Sequence, residues 1–175
     1  NRIGVFSTAF GSNTIASGFA STAMGGENVA SGQYSTTVGG ANEASGIYSL
    51  AGGWRNTASG SSSLAFGVNS TASGNESFAF GESTVASSNN ATAFGSGTKS
   101  LFFFTLATGQ NTEASGWASS SFGVGTKAQG YYTISGGDGT IARSYASTVL
   151  GMFNDSFPAS NYFNPIPTDP LFILG

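Results

Sequence analysis

Large apolar side chains in this chain fall into columns. Leu50, Leu64, Phe78, Leu106 and Ile134 form one, and Phe10, Met24, Val38, Phe66, Phe80, Phe94, Phe122 and Leu150, two residues further on, form another; in both the spacing is fourteen residues or a multiple of it. Small residues alternate with them: a Ser/Thr column through Ser7, Ser63 and Ser147, and an alanine column through Ala9, Ala65 and Ala107. Alternation with a period of two is what a β-strand imposes on its two faces. Glycine returns at the same interval without a miss from Gly11 to Gly151, eleven times, which marks a repeat architecture.

The unit is clearest from Ser63 to Glu76, SLAFGVNSTASGNE, whose residues are called places one to fourteen below. It predicts two short strands and two turns. Glycine at the fifth and usually the twelfth place (Gly18, Gly32, Gly46, Gly60, Gly74, Gly116, Gly130) is expected to supply bends open to positive φ. Such a unit is one coil of a narrow parallel β-solenoid, and about eleven coils at roughly 4.8 Å each make a rod on the order of 50 Å long. A helix is excluded, because two fixed glycines per unit cost about 1 kcal/mol each in a helix interior. A flexible Gly/Ser linker would lack the 13% aromatic content and the fixed apolar columns.

The uniformly small columns suit the inside of a coil only two strands thick, whereas stacked phenylalanines need the roughly 10 Å spacing of full sandwiches. The Ser column and both alanine columns (the second through Ala16, Ala72 and Ala142) are therefore expected inside. The reverse, Phe inside and Ala outside, is the competing arrangement. With the small columns inside, Phe10, Met24, Val38, Leu64, Phe66, Phe78, Phe80, Phe94, Phe122 and Leu150 form an outer apolar stripe. A monomer rarely exposes so much, so the stripe is expected to be a subunit interface, most economically closed in a symmetric trimer.

Charge narrows the function. Five Lys and Arg against eight Asp and Glu give a net charge of -3 in 175 residues, without a basic surface for nucleic acid or anionic lipid. Histidine and cysteine are absent, so the usual soft-metal ligands and the thiol and imidazole of nucleophilic catalysis are missing. No cofactor is called for, and no enzyme activity is expected. No apolar run reaches the length of a membrane helix, and the first residue falls partway through a unit without a signal-peptide pattern; the chain reads as a piece of something longer.

Local departures suggest candidate sites. KSLFFFTL, from Lys99 to Leu106, puts Phe102 at the twelfth place, followed by Phe103 and Phe104; these three are either a docking patch or a widened turn packed on adjacent coils. Gly52 and Gly136 interrupt the Phe column, leaving small cavities unless Leu50 and Ile134 fill them. Tyr34, Tyr48, Trp54, Trp117, Tyr131 and Tyr132 are assigned to turn places, as a sugar-binding face or as packing. The eighth-place column (Asn28, Asn42, Asn56, Ser70, Thr84, Thr98, Thr112, Thr126, Thr140) predicts a hydrogen-bonded ladder serving turn backbone, with an ice-binding face as the alternative. Asp138, Asp155 and Asp169 are scattered, without a calcium-binding repeat. Glu27, Glu43, Glu76, Glu82 and Glu113 are placed in loops, and a glycosidase pair among them is the remote enzymatic reading.

The spacing Ser-x-Ala-Phe-Gly at Ser63 to Gly67 and at Ser77 to Gly81, followed by x-x-Ser/Thr-x-Ala-Ser, resembles the repeat of YadA-like heads from trimeric autotransporter adhesins, over residues 1 to about 151. The resemblance implies an all-β fold, a left-handed parallel β-roll, with three chains side by side in a surface fibre. Heads of that family bind host matrix or other surfaces. The expected function is an adhesive segment of a homotrimeric cell-surface fibre, extracellular and attached through regions beyond this chain; its ligand is an unidentified surface, matrix or glycan, and the segment itself does not insert into membrane. Similar repeats occur in phage tail fibres, so a receptor-binding or spacer segment of such a fibre is the alternative. Residues 1–151 are read as the roll. Residues 152–175, with Pro158, Pro165, Pro167 and Pro170, are read as an irregular cap or neck whose apolar PLFIL packs on the last coil or on a sister chain, because proline cannot donate to a sheet ladder.

Overall fold

The computed structural model describes residues 2–154, 163 and 172–174. Each unit yields a five-residue strand over places two to six and a two-residue strand over places nine and ten, as in Leu64–Val68 and Thr71–Ala72. The long strands stack into a twelve-stranded sheet and the short ones into an eleven-stranded sheet. All pairings are parallel and in register: Phe66 stands opposite Gly52 on one side and Phe80 on the other, and Ala72 opposite Ala58 and Ala86. Ten complete coils run from Thr8 to Ala142, with a partial coil at each end. The sequence count of about eleven includes the last unit, of which only the long strand is described.

Small columns line the inside. The alanines at places three and ten, such as Ala65, Ala72, Ala79 and Ala86, are completely buried, and the largest fully buried side chain is Val149. The two sheets therefore lie too close for a phenylalanine between them, and the arrangement with Phe inside is ruled out. Serines at the first place satisfy themselves locally: the Ser63 hydroxyl donates to the Gly60 carbonyl at 2.7 Å and that of Ser35 to Gly32 at 2.7 Å. The eighth-place column is buried as well. This sets aside an ice-binding role for it, since none of its hydroxyls faces bulk water. Its asparagines form the expected ladder. Asn42 donates its amide to the carbonyls of Val38 (3.0 Å) and Gly53 (2.9 Å), and its Oδ1 accepts from the backbone N–H of Asn56 (2.9 Å).

The glycines act differently from expectation at the twelfth place. Fifth-place glycines do adopt positive φ, 116° at Gly67, but the twelfth-place ones do not. What demands glycine at Gly60 is space: a Cβ there would overlap the carbonyl oxygen of Gly74 in the next coil. The left-handed corners sit instead at places seven and fourteen. All 19 non-glycine residues with positive φ among those described occupy these two places, including Tyr34, Arg55, Glu76 and Asn111. An isolated non-glycine residue in this region costs about 1–2 kcal/mol. Here the adjacent coil enforces it, because from Ala20 on the corner N–H groups donate to carbonyls one coil back, as from Tyr34 to Phe19 (2.8 Å) and from Asn69 to Trp54 (3.0 Å). The backbone ladder thus continues around the corners.

The long sheet gains one further strand near the end of the chain. Phe172–Leu174 is a strand that pairs in parallel with Thr148–Met152, setting Phe172 against Thr148 and Leu174 against Leu150. Asn154 is tied to the last short strand, accepting from the Ile141 N–H at 2.7 Å. The four prolines and Leu171 lie outside the described residues.

Candidate functional site

The outer face of the long sheet is the most distinctive surface of the rod. Strand alternation turns places two, four and six outward. Along the fourth place Phe10 (74% exposed), Met24, Val38, Phe94 (60%), Phe122 and Leu150 are exposed, as is Phe78 at the second place. Leu64, Phe66 and Phe80 are half-buried by one another and by neighbouring coils. The rings stack along the rod: Phe66 and Phe80 have centroids 5.5 Å apart and are nearly parallel, and Phe80 and Phe94 are 6.4 Å apart. All ten side chains predicted for the apolar stripe therefore lie on one outer face of a single sheet.

Gly52 and Gly136 do not leave holes in it. A Cβ at Gly52 would run into the ring of Phe66, and one at Gly136 would meet Leu150. The filling side chains come from the following coil, not from Leu50 and Ile134 on the same strand, because side chains here lean back along the rod. Trp54 follows the same rule: it is the last residue of the strand Leu50–Trp54, not a turn residue, and its ring covers Gly40. The Arg55 guanidinium lies 5.7 Å from that ring's centroid.

Several members of the face were missed from sequence. Val68, Val124 and Met152 at the sixth place are exposed beside the stripe, and Phe172 and Leu174 extend it over the added strand. Parity alone carried the first three, since the sixth place has the same orientation as the second and fourth. Phe-Ile-Leu alternates correctly too, but its pairing step departs from the fourteen-residue interval.

A second aromatic line follows the corner at places thirteen and fourteen. Phe6, Phe19, Tyr34 and Tyr48 touch in succession at 5.5, 5.7 and 4.9 Å. Polar residues replace them for three coils, where the Ser61 N–H donates to Asn75 Oδ1 at 3.0 Å. Aromatics then return. Phe102 is half-buried against Phe103 (5.3 Å) and Tyr131 (6.1 Å), Phe103 and Phe104 are exposed, and Tyr131 also meets Phe163 at 4.9 Å. Packing and exposure thus coexist in the Phe102–Phe104 patch.

Glu43 and Glu113 stand on short strands and Glu82 ends a long one, so these three are not loop residues. Among the described residues, no three of His, Cys, Asp and Glu converge as metal ligands would.

Geometry of this kind, a slender parallel coil with a lumen of alanine and serine and an apolar flat flank, defines a parallel β-solenoid. The model of the YadA head domain repeat matches residues 3–28, 16–36, 30–56, 58–81 and 73–98. Together these matches span more than half of the chain, and the chain belongs to the YadA head family, whose repeats are those of trimeric autotransporter adhesins. The coils from Lys99 onwards continue in the same register. No relative matches among curated proteins.

Proposed function

We propose that this chain is an adhesive segment of a homotrimeric fibre at a cell surface. The supporting observation is the outer face of the long sheet: apolar from Phe10 to Leu150 and prolonged by Leu174, while the interior of each coil takes nothing larger than valine or asparagine. The hydrophobic stabilisation that a globular domain draws from its core is here offered on the outside. Three copies around an axis parallel to the rod close that face with one kind of heterologous contact repeated three times. The short sheet and the corners then point outward, where they meet cells, matrix or glycan.

Sedimentation equilibrium at micromolar concentration tests the assembly. A trimer is expected, and Phe66→Asp combined with Phe80→Asp is expected to yield monomers that keep β circular dichroism. A parent protein that is already monomeric overturns the interface. Attachment is read separately, as adhesion of protein-coated beads to cells and matrix-coated surfaces, and beads that adhere no better than albumin-coated ones overturn the adhesive role.

A further inference from the structure

Three successive short strands, Lys99–Ser100, Glu113–Ala114 and Lys127–Ala128, set a Lys-Glu-Lys ladder on the face opposite the long sheet. Elsewhere the same column holds mostly Ile, Val or Thr, at Ile15, Val29, Thr57, Thr71, Val85 and Ile141. A groove of about 390 Å³ lies beside the ladder, lined among others by Ser83, Gly97, Lys99, Asn111, Glu113 and Lys127. This falls within the usual range of ligand sites, roughly 300–1,000 Å³.

Three of the lining residues, Ser83, Gly97 and Asn111, stand at the seventh place. Gly97 and Gly125 have φ of 66° and 62°, where equivalent corners hold Asn69, Arg55 and Glu27 at 54–57°. The backbone there accepts a side chain, and at Gly97 the space beside it is taken by the Asn111 side chain, whose Oδ1 a Cβ would meet. At Gly125 a Cβ would find its nearest neighbour at 3.9 Å.

Charge and spacing indicate the occupant. In a chain of net charge -3, two of the five cationic residues flank this groove. Arg143 stands one coil further on, its Nε donating to Gln129 Oε1 at 3.1 Å. Lys99 and Lys127 are two coils apart, about 10 Å at the strand spacing, comparable with the disaccharide repeat of an extended polysaccharide. Glu113, midway, is an acceptor for sugar hydroxyls. At the other corner of the same coils, across the short strands, Phe103 and Trp117 are exposed, and rings of this kind stack on the apolar faces of pyranoses.

We infer that this groove binds an acidic polysaccharide carrying one carboxylate per disaccharide, with successive carboxylates on Lys99 and Lys127 and the intervening hydroxyls on Glu113 and Asn111. The inference rests on the adhesive reading and names its ligand class. Calorimetric titration of the full chain with hyaluronan oligosaccharides tests it. Binding is expected, weakening as salt rises. Lys99→Gln with Lys127→Gln is expected to weaken it by at least about tenfold. Glu113→Ala, which removes the acceptor between the two lysines that line the groove, is expected to weaken it as well with an unchanged melting curve. Absence of binding, unchanged affinity in these variants, or equal affinity for polyglutamate, which would make the ligand an acidic peptide, each overturns the proposal. Bead adhesion separates the two readings: adhesion that survives Lys99→Gln with Lys127→Gln overturns the groove and leaves the adhesive role standing, whereas wild-type beads that do not adhere fail that role itself.

Discussion

Asn42 shows how a single side chain holds two coils together. Its amide serves two carbonyls and its oxygen serves the N–H of Asn56, all within a completely buried ladder. Removing it leaves the buried Asn56 N–H without its acceptor and two part-buried carbonyls without their donor, and each buried unsatisfied group costs about 1–3 kcal/mol. Asn42→Ala is therefore expected to destabilise by roughly 2–4 kcal/mol in urea unfolding. Asn42→Thr should cost clearly less, since threonine fills this place from Thr84 to Thr140; equal losses for the two would show that volume, not hydrogen bonding, decides the column. Thr98 and Thr112 show the limit of that replacement: their buried hydroxyls meet no protein partner, so threonine fits the lumen without reproducing the asparagine network.

At the level of the strand, the added Phe172–Leu174 covers the edge of Thr148–Met152. Ile173 lies opposite Val149, on the inward side of the alternation. Ile173→Asp is expected to detach the strand and expose a row of unpaired backbone groups, which is a template for edge-to-edge association. Light scattering should then rise with concentration relative to the parent; a flat trace would mean that the strand does not protect this edge. Much of the strand pattern was legible in the sequence, because alternation and a constant interval are written directly in residue size, and the direction of the Phe column followed from the smallness of the alanines. The corners were not legible. Places seven and fourteen hold Arg, Glu, Tyr, Ala and Asn alike, and their left-handed backbone is imposed by the adjacent coil rather than by residue type. The partners of Gly52 and Gly136 were hidden for a similar reason: a linear pattern shows which face a side chain takes, not which way it leans along the rod. The Lys-Glu-Lys ladder was missed because only its Glu113 drew notice, as one of several scattered carboxylates.

Across the whole molecule, strands touch only those in their own and the adjoining coils, so stability is close to a sum of nearest-neighbour terms. Damage should stay local. Ala72→Leu forces three extra carbons into a completely buried place, where overpacking costs typically about 1–3 kcal/mol. Hydrogen exchange is expected to speed up in the coils around residues 58–86 while the amides near Ala16 and Ala128 keep their protection; uniform loss of protection would show a globally cooperative unit instead. The enforced corners carry the same independence over to the surface. Because the backbone at places seven and fourteen tolerates almost any side chain, the rod resembles a pegboard with holes at a fixed pitch. Chemical groups chosen one by one could be set along it at multiples of that pitch, so a recognition pattern could be rewritten without redesigning the board.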